Sequence, residues 1–389
     1  MTEQDTVNVK KRTGGGNPRP SKVRDSNIEL FRIITMLMIV AYHYVVNSGL
    51  AEASGPIYAD PLSWRSLFLL VFLGSWGKIG INCFVMITGY FMCKSNITAK
   101  KFAKLVLEVM FYRIVLHFIF IITGYTEFSV KNLIMTLIPV TAIDKGFTSC
   151  FFMFYLCIPF LNVLVNKMNE KQHIYLLLLC GFLYVVLGTF HRINFNYVSW
   201  FIVLYFIASY IRLYPKKCFS NTKLWGLLAL LFIVISAASV VAGAWLADRR
   251  GFFKATFFVT DSNTFLAVAV GVCSFMFFKN VKIGYSKVIN TIAASTFGVL
   301  CIHANSNTMR RWLWKDLLDN VGHYGARLMP LYAIGCVAAI FVVCIIIDIL
   351  RINLLEKPFF KAWDKRWDSF SEKFKKCERK ALDKMGVSN

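Results

Sequence analysis

Ten long apolar runs constrain this chain of 389 residues more than any other feature. A helix that crosses a bilayer needs about 20 predominantly apolar residues, and these runs have close to that length. Hydrophobic residues make up 57% of the chain and charged residues 17%, whereas ordinary globular chains hold about 45–50% and about 25%. The sequence therefore predicts an all-α fold, a polytopic transmembrane helix bundle of about ten spans. The expected spans are 28–46, 73–92, 103–125, 147–165, 172–190, 197–214, 224–246, 263–278, 289–304 and 331–350.

The distribution of Lys and Arg predicts the orientation of these spans. With the N-terminus inside, the inner segments and tails carry 30 of the 44 basic residues and the outer loops carry 12. The positive-inside rule therefore places both termini in the cytoplasm. We expect a disordered basic tail (1–25), a transmembrane domain (26–350) and a second basic tail (351–389). The second tail suits either an amphipathic helix on anionic lipid or a solvated helix.

The net charge of +23 arises mainly from these loops and tails. We therefore expect membrane lipids as partners and no nucleic acid. The eleven cysteines lie mostly within apolar runs, without CxxC spacing and without a His/Cys cluster. This pattern is typical of small buried apolar residues, so we expect no metal site and no permanently bound cofactor.

The first apolar run contains two ionisable residues, Arg32 and His43. A charged group inside a span costs roughly 2.5–3.5 kcal/mol on insertion scales, so each needs a reason. Their separation is about 16 Å along an α-helix and close to three full turns, which puts both on one face. One stripe thus carries a permanent cation near one end and a titratable imidazole deeper in the membrane. Alternatively, Arg32 reaches the headgroups and His43 hydrogen-bonds a neighbouring helix.

Five blocks of sequence, in the same order along the chain, resemble the acyltransferase 3 family of integral-membrane O-acyltransferases. The blocks are 27–32 with His43, 80–91, 100–112, 154–162 with 200–210, and 289–303 with Arg310 and Trp314. The chain departs from the family pattern at Leu300, where the family usually has an aromatic residue, and at Ala304, where it often has an acidic one.

The resemblance implies transfer of an acyl group, usually acetyl, from cytoplasmic acyl-CoA to a glycan hydroxyl. The acceptor would be a cell-surface polysaccharide or its lipid-linked precursor, and the location the plasma membrane of a bacterium. His43 would be either a general base or a residue that carries the acyl group covalently. Arg32 and His303 would share the catalytic centre, although a structural hydrogen bond is an equal alternative for His303.

Further residues would bind the two substrates. Arg32, Lys101 and Lys104 would hold the CoA phosphates, with ordinary positive-inside charge as the alternative for the lysines. The residues expected to contact the acceptor are Arg310, Tyr90 and Trp314. Headgroup contact or an interfacial aromatic belt would equally explain the arginine and the tryptophan.

A glycan exporter or flippase without acyl chemistry is the competing hypothesis. It predicts glycan flux without consumption of CoA, and charges that line a path through the membrane. A third hypothesis, the membrane half of an amino-acid transfer system found in racemase-linked relatives, is disfavoured because the sequence shows no racemase domain. The oligomeric state stays open at this point.

Overall fold

The structure, a computed structural model, describes residues 26–138, 140, 146–191, 195–251, 254–364, 366 and 376–377. The described residues are 79% helical and contain no strand. The predicted all-α fold is therefore confirmed. The tail expected at 1–25 lies outside the described residues, as does most of the tail expected after residue 350.

Helices of very different length build the bundle. Three of them continue beyond the bounds given below through π-helical turns: α6 reaches Phe190, α12 reaches Leu317 and α13 reaches Asp364. Two short helices, Pro56–Ala59 and Trp64–Phe68, precede α2. The helices are α1 (Ser26–Val46), α2 (Gly77–Met92), α3 (Ala99–Ile122), α4 (Val130–Leu137), α5 (Phe147–Lys167), α6 (Glu170–Cys180), α7 (Tyr197–Leu213), α8 (Thr222–Arg250), α9 (Phe265–Asn280), α10 (Lys287–Ala294), α11 (Thr296–His303), α12 (Asn307–Arg311) and α13 (Met329–Arg351).

Each of the ten apolar runs is helical over most of its length. Within the described residues, seven helices are long and apolar enough to cross a membrane. Two further runs form the shorter apolar helices α7 and α9, of 17 and 16 residues. The run at 289–304 belongs to a pair of helices bent by 92°. The architecture is a helical membrane bundle.

Helix α2 lies at the centre, in contact with α1, α7 and α9. Small residues permit the close approach, as is common where membrane helices pack. A Cβ on Gly77 would collide with the ring of Tyr42 on α1, and one on Gly89 would lie 3.1 Å from Cβ of Ala208 on α7. Helix α1, which carries His43, therefore packs closely on the central helix α2.

A polar side chain fixes the register of α2. Asn82 is fully buried, and its amide donates to the carbonyls of Ser262 (2.7 Å) and Ala267 (3.1 Å). Its oxygen accepts from Nε1 of Trp200 on α7, at 2.9 Å. A buried amide in an apolar bundle costs free energy unless its hydrogen bonds are made, so these contacts specify how α2 meets α7 and α9.

The break between α11 and α12 places a histidine inside the bundle. Helix α11 ends at His303, and α12 begins after Ser306, whose hydroxyl caps it by accepting from the backbone of Met309. The helix axis turns by 92° between α11 and α12. His303, the last residue of α11, is fully buried at this turn.

Candidate active site

His43 of α1 and His303 of α11 meet directly. Nδ1 of His43 lies 2.9 Å from Nε2 of His303. Nδ1 of His303 in turn lies 2.6 Å from the carbonyl oxygen of Val299, one turn earlier on α11. His303 is fully buried, whereas His43 keeps some exposed surface. The sequence predicted both residues for one catalytic centre, and the structure brings them together.

The hydrogen bonds determine where the protons of this pair reside. The Val299 carbonyl can only accept, so Nδ1 of His303 donates to it. In neutral His303 the other nitrogen, Nε2, is then an acceptor, and it accepts a hydrogen bond from the N–H at Nδ1 of His43. Neutral His43 therefore carries its lone pair on Nε2, the nitrogen turned away from His303. A carbonyl and a second histidine thus orient a basic nitrogen, as a third group orients the base in a catalytic triad.

Aromatic rings pack behind the histidine pair. Trp314 is fully buried, with its ring 6.4 Å from that of His303 and 6.0 Å from that of Tyr44, edge to face in both cases. The amide of Asn320 holds the backbone carbonyl of Tyr44 at 3.0 Å. The structure places Trp314 as support for the histidines, without an exposed face on which a sugar could stack.

Two cations lie on segments next to the histidine pair: Arg310 on α12, and Lys78 beside Gly77, which packs on Tyr42 of α1. The Arg310 guanidinium makes hydrogen bonds of 3.4 Å to the carbonyl of Ala304, next to His303, and to Asn307. No carboxylate of the described residues forms an ion pair with it. Lys78, in the first turn of α2, donates to the hydroxyl of Tyr197. The histidine pair therefore lies in a positively charged environment that can attract a negatively charged oxygen.

The other end of α1 holds Arg32 beside α9. Nε of Arg32 lies 3.9 Å from a carboxylate oxygen of Glu29. The ring of Phe31 stacks on Phe278 at 4.7 Å, and the Asn27 amide donates to the carbonyls of Phe278 and Lys279. The N-terminal end of α1 is thereby joined to the C-terminal end of α9, and Arg32 and Lys279 belong to the same region.

Arg212 of α7 was missed by the sequence reasoning. Its NH1 donates to the hydroxyl of Tyr90 at 2.8 Å, and the guanidinium lies 4.7 Å from the centre of that ring. Tyr90 packs on Phe275, which also contacts Phe31, so Arg212 lies at the Arg32 end of the bundle. No carboxylate in the described part of the chain pairs with Arg212. Its sequence position gave no signal beyond positive-inside charge.

The lysines of α3 have polar partners of their own. Lys104 pairs with Glu356 at 2.6 Å, and Lys101 donates to the hydroxyl of Ser95 and the carbonyl of Asn96. Lys100 pairs with Asp364, also at 2.6 Å. Carboxylates of the segment that follows α13 therefore offset the charges of Lys100 and Lys104, which the sequence pattern could not reveal.

A buried ionic cluster joins α3 to α13 beside the histidine-bearing helix α11. Arg351 donates to Asp348 and Glu356, each at 2.8 Å, and lies 3.2 Å from Glu108 of α3. Asp348 also accepts from the hydroxyl of Tyr112 at 2.8 Å and fills the space that a side chain at position 298 would need. Removing one partner of such a buried network is strongly destabilising.

A further histidine, His173, lies inside the bundle. It lies within α6 and is fully buried, with Nε2 3.0 Å from the carbonyl of Phe206. The Asn169 capping box starts α6 before this histidine and so brings it inside the bundle. Among the described residues, no group of His, Cys, Asp or Glu is arranged to hold a metal ion.

The fold and the site define a helical membrane protein with a hydrogen-bonded histidine pair in its interior. A family model described as an acyltransferase domain matches residues 25–349. Since the match spans most of the chain, the protein belongs to the acyltransferase 3 family. It is therefore a membrane acyltransferase of a family that generally acts on glycans. No curated protein and no solved structure matches the chain.

Proposed function

We propose that the protein transfers an acyl group, in the simplest case acetyl, from acyl-CoA to a hydroxyl of a cell-surface or lipid-linked glycan. The observation that carries this proposal is the hydrogen-bond chain from Val299 through His303 to His43. It leaves a lone pair on Nε2 of His43 in a chain that belongs to an acyltransferase family. A neutral imidazole oriented in this way is suited to taking a proton near neutral pH.

In the proposed reaction the sugar hydroxyl oxygen attacks the thioester carbonyl while Nε2 of His43 takes the hydroxyl proton. A carbon–oxygen bond forms, and the carbonyl oxygen becomes an oxyanion. When the tetrahedral intermediate collapses, the carbon–sulfur bond breaks and the CoA thiolate takes the proton back from His43. The base is thereby regenerated without an additional reactant. Nearby Arg310 is a cation that can stabilise the oxyanion or hold the acceptor.

The same nitrogen would serve an acyl-histidine relay. Nε2 of His43 would attack the thioester and expel the CoA thiolate. The sugar hydroxyl would then take the acyl group from the imidazole, and its proton would pass to the CoA thiolate. In both versions His303 acts as a positioning residue, because it accepts a hydrogen bond from Nδ1 of His43. This hydrogen bond keeps the lone pair of His43 on its Nε2.

Donor binding is proposed at the Arg32 end of α1. CoA carries phosphates, which guanidinium groups bind in bidentate fashion. Arg32, Arg212 and Lys279 lie in this region, and Tyr90 holds Arg212 in place. Lys101 and Lys104 remain candidates for a more distant phosphate contact. The basic residue count supports an orientation with both termini in the cytoplasm. The family membership supports the remaining part of the proposal, a chain that crosses a bacterial plasma membrane about ten times.

The test is acyl transfer by the full chain in lipid vesicles. Radiolabelled acetyl-CoA is supplied with a surface-glycan extract from the organism that encodes the chain, and both CoA release and label in the glycan are measured. We expect release and label to rise together. Glycan movement across the vesicle membrane without CoA release would contradict the proposal and favour the exporter.

A further inference from the structure

A cavity of about 350 Å³ opens at the His43 end of the bundle. Its size falls in the range of about 300–1,000 Å³ that small-molecule sites occupy. The segment that follows α1 contributes Ser48, Glu52 and Ser54 to its wall, and the segment that follows Trp314 contributes Lys315 and Asp319. The two chain segments that leave the histidine pair thus form the two sides of one cavity.

The walls of this cavity are tied to the helix that carries His43. The hydroxyl of Ser48 donates to the Val45 carbonyl at 3.2 Å, and the buried amide of Asn320 donates to the Tyr44 carbonyl at 3.0 Å. At the rim, Gly55 packs so closely on the backbone of Gly49 and Leu50 that a side chain would not fit. These contacts hold the walls of the cavity to the His43 end of α1.

The chemistry of the walls indicates the kind of ligand. The lining includes two acidic residues, one lysine and two serines, residue types that can donate to and accept from the hydroxyls of a sugar. The Glu52 carboxylate pairs with Lys315 at 3.0 Å. Asp319 accepts from the backbone N–H of Gly322, also at 3.0 Å, and pairs with no cation among the described residues. The lining thus carries one net negative charge, which disfavours an acidic sugar.

We propose that this cavity is the acceptor subsite of the enzyme, and that it binds an uncharged or amino-bearing sugar unit of the glycan. The proposal rests on the function proposed above and adds the place and the charge class of the acceptor. The proposal requires that a glycan chain seated between Glu52 and Asp319 continue toward the end of α1, so that a neighbouring hydroxyl meets His43.

The test uses two cavity variants and one matched control. Ser54→Trp fills the cavity from an exposed position, and Asp319→Asn removes its net charge while keeping an oxygen for the Gly322 N–H. Asp319 has a positive φ of 41°, which Asn also tolerates. The control, Asp316→Asn, removes a carboxylate that lies on the same segment but outside the cavity.

The surface-glycan extract is separated into neutral and acidic fractions, and transfer from radiolabelled acetyl-CoA is measured in vesicles. We expect label in the neutral fraction. We also expect an apparent KM for that fraction raised about tenfold by Ser54→Trp, a loss of roughly 1.4 kcal/mol. Asp319→Asn should raise it less, and the KM for acetyl-CoA should stay unchanged in both variants.

The possible failures are distinguishable. If the wild type transfers label and both cavity variants behave like Asp316→Asn, the subsite assignment is wrong and the proposed function stands. Label confined to the acidic fraction overturns the charge class. If the wild type transfers nothing to either fraction, the proposed function is wrong and the acceptor subsite is wrong with it.

Discussion

The two ends of helix α1 are built from opposite kinds of contact. At one end, His43 is held by a 2.9 Å bond to His303, whose own ring is fixed by a carbonyl and by buried aromatic rings. At the other end, Arg32 shares its region with Arg212, which donates to a tyrosine hydroxyl and pairs with no carboxylate among the described residues. A base must be oriented to within a hydrogen-bond length, whereas a phosphate site needs positive charge that the protein has not already neutralised.

The same contrast separates two sets of cations. Lys100 and Lys104 on α3 form 2.6 Å ion pairs with carboxylates of the segment after α13. Arg212 on α7 donates to a tyrosine hydroxyl and has no carboxylate partner among the described residues. The number of clustered basic residues favours the lysines of α3 as the phosphate contacts of CoA. The absence of a carboxylate partner among the described residues favours Arg212 instead. The following variants test both contrasts.

Replacing His43 by Ala should have the largest effect on transfer. Loss of a general base lowers a rate by about 10²–10⁴-fold, so we expect CoA release coupled to glycan acylation to fall by about 10³-fold. The matched control is His117→Ala, because His117 lies on α3, where the sequence and structure give it no role. Equal losses in both variants would mean that disturbed packing explains the effect.

Replacing His303 should have the next largest effect, on the order of 10²-fold for His303→Ala, because the wrong tautomer of an unsupported base is costly. His303→Gln should retain more activity, since its side-chain oxygen can accept the proton of His43 Nδ1. The measurement is kcat for both variants over a pH series. Identical kcat values for Ala and Gln would argue against the positioning role.

Arg212→Gln should weaken donor binding with little effect on the chemical step. Removing one charge-assisted contact to a phosphate costs about 1.5–3 kcal/mol, so the KM for acetyl-CoA should rise about tenfold or more. Arg249→Gln is the control, an arginine at the far end of α8 that stacks on Trp245. A lower kcat with unchanged KM would place Arg212 elsewhere in the mechanism.

Lys104→Gln should have the smallest effect, a change in the KM for acetyl-CoA of less than about twofold. The carboxylate of Glu356 already offsets this lysine, and Glu356 keeps Arg351 as a partner when Lys104 is lost. Steady-state kinetics in the same vesicles provide the measurement. A rise as large as that for Arg212→Gln would move the phosphate contact to α3 and reverse the contrast drawn above.

The helices were largely predictable because each apolar run is long enough to specify its own structure. The 92° turn at residues 304–306 was not, since it depends on Ser306 capping a new helix directly after the apolar run ends. The bounds of α7 and α9 lie within two residues of the expected spans 197–214 and 263–278.

Of the site, the sequence predicted the histidines but not their contact. His43 and His303 are 260 residues apart, and only the fold decides which nitrogen faces which partner. The role of Val299 was invisible because a backbone carbonyl acts there, independent of side-chain identity. Arg212 was hidden among other inner basic residues, and the ion pair of Lys104 depends on a carboxylate about 250 positions away along the chain.

The central claim is that chemistry and donor binding occupy opposite ends of α1. The most direct test measures, on one sample of the His43→Ala variant, both the Kd for acetyl-CoA and the rate of acyl transfer. The account predicts a Kd within about twofold of the wild type together with a transfer rate lowered by about 10³-fold. Transfer at the wild-type rate, or loss of acetyl-CoA binding that accounts for the lost rate, would contradict it.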